Sequence, residues 1–188
     1  MLTPMRRFFQ NTMARILGPR SRAEELRALR RRFAAIDVSR FEYKEAVQSA
    51  RRLRALRKSL VAELGQRRAC TACVRPQSDD WPGGHCCSGC TEDLFPDDEL
   101  KALKLSGTKR RHWKTPHSDH RGCAFRSPKG CALAPAHRPS LCVRYACLDL
   151  QREIDLGKNA DDINRLQEEL RLESLHFSAL METDDEEQ

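Results

Sequence analysis

The sequence predicts a mainly α protein, in which long N- and C-terminal helices flank a small loop-rich, metal-stabilised cysteine-cluster module. Three observations predict it. Residues 21–64 contain neither Pro nor Gly and are dominated by Ala, Leu, Arg and Glu, a composition that favours helix. The last quarter of the chain repeats apolar residues at helical spacing among acids. Between these arms, all nine cysteines fall from Cys70 to Cys147, in a stretch punctuated by Gly, Pro and His.

The first arm, residues 1–68, opens on a basic segment and then reads as a long helix or two helices in series. Ser21 with Glu24 makes a capping box at its start. Leu26, Leu29, Phe33 and Ile36 form one apolar stripe, and Leu53, Leu56, Leu60 and Leu64 form another. The segment Asp37-Val-Ser-Arg-Phe-Glu-Tyr between them is poor in helix formers, so a kink or turn is expected there, and Gly65 ends the element.

The second arm, residues 151–188, follows a short helix from Leu148 that Gly157 closes; Asn159-Ala-Asp-Asp caps the next helix. Ile163, Leu166 and Leu170 begin its apolar stripe, which Phe177 and Leu180 continue. The acidic end from Met181 cannot bury enough apolar surface to fold alone and reads as a disordered tail.

Charge separates these parts. Residues 1–68 carry 18 Lys and Arg against 6 Asp and Glu, residues 69–147 carry 12 against 8, and residues 148–188 carry 4 against 13. The net +7 therefore hides a +12 arm and a −9 arm. Each arm has an apolar stripe, so antiparallel, coiled-coil-type pairing within one chain or between two is expected. The bland alternative is that each stripe packs on the cysteine module.

The module, residues 69–150, is too polar for a large core of its own and is expected to depend on cross-links, either disulfides or metal. The N-terminal stretch MLTPMRRFFQNTMARILGPRSRA has charges throughout and no apolar run of seven or more, so it does not read as a secretory signal. Its Arg-rich, acid-free composition also fits a mitochondrial transit peptide, but a basic tail explains it as well. No segment approaches the roughly 18 apolar residues of a membrane span. A cytoplasmic location with reduced thiols is the expectation, and reduced thiols favour metal over disulfides.

Cys70-Thr-Ala-Cys73 has the spacing with which two thiolates converge on one ion. His85 precedes Cys86, Cys87 and Cys90, and Cys123, Cys131, Cys142 and Cys147 follow. Soft thiolates select zinc or an iron–sulfur cluster, usually four to a site, so nine would fill two sites with one to spare. Cys90 is the candidate spare, and His85 a candidate substitute ligand. His112, His117, His120 and His137 read as residues of solvated loops. The run Lys109-Arg-Arg-His-Trp113-Lys and the Arg pairs at 51–52 and 67–68 are candidate phosphate contacts, with Trp113 as a stacking surface, although a charge run is more often only a solvated face.

The stretch GCAFRSPKGCALAPAHRPSLCVRYAC resembles the zinc- or iron-chelating cysteine-cluster family often called YkgJ-like. It has a Cys before an apolar-aromatic pair, a Gly-Cys, an Arg-Pro two residues before a third Cys, and a closing Cys; Cys123, Cys131, Cys142 and Cys147 take those places, with Arg138-Pro139 as the Arg-Pro. Cys86-Cys87 followed by Pro96-Asp-Asp-Glu-Leu is similar to the family's double cysteine and acidic helix. The likeness covers roughly residues 70–150, with a longer gap between Cys73 and Cys86 than the compact motif has and with Cys90 as an addition. It implies chelation through these cysteines.

No Ser-His-Asp elbow, phosphate-cradling Gly loop or dinucleotide fingerprint occurs. The preferred reading is therefore a metal-binding structural or interaction module, whose helical arms recruit a protein partner or a second copy. The alternatives are an iron–sulfur redox or maturation enzyme and a zinc-stabilised nucleic-acid binder.

Overall fold

The structure is a computed structural model and describes residues 22–39, 44–65, 94–114, 123–127 and 130–186. It is mainly helical. Among the described residues, six α-helices run in the order α1 (Arg22–Ala35), α2 (Lys44–Leu64), α3 (Asp97–Leu105), α4 (Ser140–Arg144), α5 (Leu148–Asp155) and α6 (Ala160–Glu186). Single 3₁₀ turns at Arg110–His112 and Pro135–His137 and a two-residue antiparallel ladder complete it. In that ladder β1 (Arg126–Ser127) pairs with β2 (Gly130–Cys131), Arg126 opposite Cys131. None of the described helices is long and apolar enough to cross a membrane.

The first arm breaks where its sequence weakens. α1 ends at Ala35, and Asp37 accepts hydrogen bonds from the Ser39 amide (2.9 Å) and hydroxyl (2.8 Å), a local turn that competes with further helix. Lys104 donates to the carbonyls of Phe33 (3.3 Å) and Ile36, satisfying acceptors that the end of α1 exposes. At the other end of the arm the Gly65 amide closes α2 on the Val61 carbonyl (2.8 Å). Ser21, the expected cap of α1, lies outside the described residues.

The two expectations for the stripes are each met, by different stripes. That of α2 (Leu53, Leu56, Leu60, Leu64) meets Ile163, Leu166, Leu170 and Phe177 of α6 in one core, which also takes in Leu150 and Ile154 of α5. α2 and α6 run antiparallel. Glu45 lies opposite His176 (3.8 Å), Ser49 donates to Glu173 (2.6 Å), Arg52 pairs with Glu173 (3.2 Å), and Asn159, just before α6, donates to Glu63 (2.6 Å). Burial dominates this pairing: a fully buried Leu contributes about 1.5–3 kcal/mol, whereas Arg52 is largely exposed and such pairs contribute roughly 0–1 kcal/mol. Met181 is buried on α6 and Leu180 only half-buried, and the helix continues to Glu186, through the start of the acidic stretch read as a tail.

The stripe of α1 packs instead on the cysteine-bearing middle. Leu26, Leu29 and Phe33 join Phe95, Leu100, Leu103, Trp113, Phe125 and Leu133 in a second core. The Trp113 ring lies 4.5 Å from Phe33 and 5.4 Å from Phe95, and Phe95 lies 5.9 Å from Phe125, all tilted or edge-on as aromatic quadrupoles prefer. The expectation that the middle is too polar for a core is thus corrected for its described residues: three aromatics, widely spaced in sequence, complete their core with a stripe lent by α1.

α3 joins the two cores. Leu100 and Leu103 face the second and Ala102 the first. Its end needs glycine, since Gly107 has φ of 91°, which lets the Thr108 amide reach the Leu103 carbonyl (2.8 Å).

Candidate functional site

Cys123 is buried in the aromatic core, immediately before Ala124 and Phe125. Cys131 ends the short ladder and packs on the edge of the same core. Cys142 lies in α4, and Cys147 is the residue from which α5 starts, half-buried against the other core. No disulfide joins any of these four to another described residue.

Arg138 explains why an Arg-Pro sits between them. Its Nε donates to the Leu133 carbonyl (2.8 Å) and one Nη to the Cys131 carbonyl (3.5 Å), tying the backbone that carries Cys131 to the turn before α4. Pro139, with extended backbone, then starts the helix that holds Cys142. The motif is a brace between two cysteine-bearing segments.

Among the described residues, no three His, Cys, Asp or Glu side chains gather as a group able to hold a metal ion. Cys123, Cys131, Cys142 and Cys147 therefore do not build a closed site by themselves. Cys70, Cys73, Cys86, Cys87 and Cys90, with His85, His117 and His120, lie outside the described residues. A four-thiolate site that includes any of the four described cysteines would draw at least two of its ligands from the other set.

Two histidines read as solvated are not. His137 is 8% exposed, and its ring stacks on His112 with centroids 4.1 Å apart and planes 13° from parallel. Nδ1 of His137 hydrogen-bonds the Thr108 hydroxyl (2.9 Å), and Nδ1 of His112 accepts from the Lys109 amide (3.0 Å). An Nδ1 that accepts leaves the neutral His112 ring protonated on Nε2, with no nitrogen lone pair for a metal. Burial, then His112, Arg54 and Arg57, push the His137 pKa from its ordinary 6.5 down to about 4. His112 is lowered as well, by burial first and then by Arg111, Arg54 and Lys109. The pair is a neutral wedge among cations. Its only advance signal was Thr108 and His137 each beside a proline- or glycine-bounded turn, too common a pattern to read.

Arg57 is the other residue missed by sequence reasoning. Though it looks like one more surface arginine of α2, it is fully buried, pairs with Glu99 of α3, and donates through Nε (3.2 Å) and Nη2 (3.1 Å) to the Ser140 hydroxyl at the start of α4. Burial lowers its pKa and Glu99 opposes that, but a guanidinium remains charged. One side chain thereby fastens α2, α3 and α4 together.

The stacking part of the reading of residues 109–114 is corrected, while Lys109, Arg110, Arg111 and Lys114 are exposed. Trp113 is fully buried, Arg30 donates to its backbone carbonyl, and its ring offers no face to a base. Other arginines of the basic arm are likewise engaged: Arg32 holds the Phe95 carbonyl (3.0 Å) and Asp97 (2.8 Å).

No protein-family model matches the chain, and neither a curated protein nor a solved structure does.

Proposed function

We propose that this chain is a cytoplasmic metal-binding protein whose cysteines between Cys70 and Cys147 hold zinc or an iron–sulfur centre, and that it acts as a structural or interaction module rather than as an enzyme. The observation that carries the reading is the confinement of all nine cysteines to that span, with Cys70 and Cys73 at chelating spacing. The likeness of residues 70–150 to YkgJ-like proteins supports the same chemistry. So does the brace from Arg138, which fixes one cysteine-bearing strand against the start of a cysteine-bearing helix. In this reading the metal joins Cys123, Cys131, Cys142 or Cys147 to the cysteines of 70–90, and the paired helices α2 and α6 form a frame that presents a surface to a protein partner or a second copy.

Serine substitution tests it. Replacing Cys131 or Cys142 should remove about one metal equivalent from protein purified without oxygen while leaving the helical circular dichroism of α2 and α6 in place. Full metal retention in both variants would defeat the ligand assignment. Chelation followed by proteolysis gives the complementary readout. Because residues 94–113 share a core with α1, they should stay protected when metal is removed, and new cleavage should appear between residues 66 and 93.

A further inference from the structure

α6 carries a second row of residues on the side away from α2. Arg165, Glu168, Leu172, Leu175, Ala179 and Glu182 alternate three- and four-residue steps, the spacing of a coiled-coil seam, and all six are exposed. Leu172 and Leu175 are 51% and 57% exposed at its centre, whereas Leu170 and Phe177 on the inner row are buried. A helix that has already buried one stripe has no internal reason to keep two adjacent seam leucines in water.

The charges along the row select an occupant. Two copies laid side by side in parallel would set Arg165 against Arg165, Glu168 against Glu168 and Glu182 against Glu182, each a like-charge contact. Laid antiparallel about a two-fold axis between Leu172 and Leu175, the same row pairs Leu172 with Leu175 of the second copy, Arg165 with Glu182 and Glu168 with Ala179. The flanks then bring Glu169 toward His176 and Arg171 toward Ser178. Every contact is apolar, neutral or opposite in charge. A surface self-complementary in one orientation and repulsive in the other is what an isologous interface requires.

We propose that the outer row of α6 is a homodimer surface on which a second copy of this chain docks antiparallel, making a four-helix arrangement of two α2–α6 pairs. The proposal deepens the reading of the helical arms as the recruiting part and rests on it, but it does not involve the metal. The row spans 17 steps of helix, about 26 Å at about 1.5 Å per residue, which places the interface at the small, exchanging end of the range, with affinity roughly micromolar or weaker.

Sedimentation velocity of the full chain under reducing conditions, from about 1 to about 200 μM, provides the test, with metal content measured on each sample. The natural chain should shift from monomer toward dimer across that series, and Leu172→Glu with Leu175→Glu should stay monomeric with unchanged helicity. Arg165→Glu alone and Glu182→Arg alone should each weaken dimerisation about tenfold or more, and the two together should restore it. A chain that is monomeric throughout, or a leucine double variant that still dimerises, overturns the proposal. Failure of the charge exchange to rescue overturns the antiparallel register. None of these outcomes alters metal content, so a failed dimer and a failed metal reading are separable.

Discussion

At the scale of single residues, His137 links fold to pH. The folded protein holds it neutral down to about pH 4, while the unfolded chain protonates it near 6.5. Between those values the unfolded state binds more protons, so stability rises with pH, is fully present above 6.5 and is lost as pH falls toward 4. The full effect is on the order of 3 kcal/mol, and the lowered pKa of His112 adds in the same direction. Urea midpoints measured from pH 7 to pH 5, above most carboxylate titration, should therefore fall, and His137→Phe should flatten that fall. An equal slope in the variant would mean that other groups carry it. Arg57 supports a second expectation: Arg57→Ala strands Glu99 beside a cavity and should cost about 3–5 kcal/mol, whereas Arg57→Met paired with Glu99→Leu should cost much less, because removing both charges leaves none unpaired. Neither residue was legible in the sequence. Burial of a polar side chain is decided by what other segments bring to it, and Ser140 and Glu99 approach Arg57 from 83 and 42 residues away.

At the scale of elements, legibility followed periodicity. The stripes of α1, α2 and α6, the break after Ala35 and the stop at Gly65 could all be read, because spacing and helix breakers act locally. Which stripe meets which surface could not. Both stripes of the basic arm are equally apolar in pattern, yet α2 takes α6 while α1 takes the aromatics of the middle, and only the positions of Phe95, Trp113 and Phe125 distinguish the two. Two substitutions probe these elements. Leu60→Ala, at a fully buried position between α2 and α6, should cost about 2–5 kcal/mol by denaturant unfolding. Gly107→Ala should cost about 1–2 kcal/mol, since its backbone is left-handed and an added Cβ would stand 3.2 Å from the Arg54 guanidinium that bonds the Ser106 carbonyl. A neutral Gly107→Ala would show that the end of α3 relaxes without that conformation.

Across the whole molecule, the +12 and −9 arms are brought together by α2 and α6, with Arg52 pairing Glu173 across them while Arg165 and Arg171 pair with acids of α6 itself. The middle is held from both sides: α3 belongs to both cores, and Arg57 and Arg138 pin the segments that lead to Cys142. This frame buries Cys123 in the aromatic core, sets Cys131 at that core's edge, and carries Cys142 in α4 and Cys147 at the start of α5. The cysteine pattern was the most legible functional signal in the sequence; the grouping of ligands was not, because spacing along a chain gives reach and not direction. Metal analysis of the full chain purified without oxygen, together with its visible absorption spectrum, tests the central claim most directly. The expected result is one or two equivalents of zinc in a colourless protein, or iron and acid-labile sulfide in a brown one, with most of the nine thiols resisting alkylation until chelator is added. A chain that carries no stoichiometric metal, stays colourless and leaves the thiols of Cys131, Cys142 and Cys147 open to rapid alkylation would contradict it.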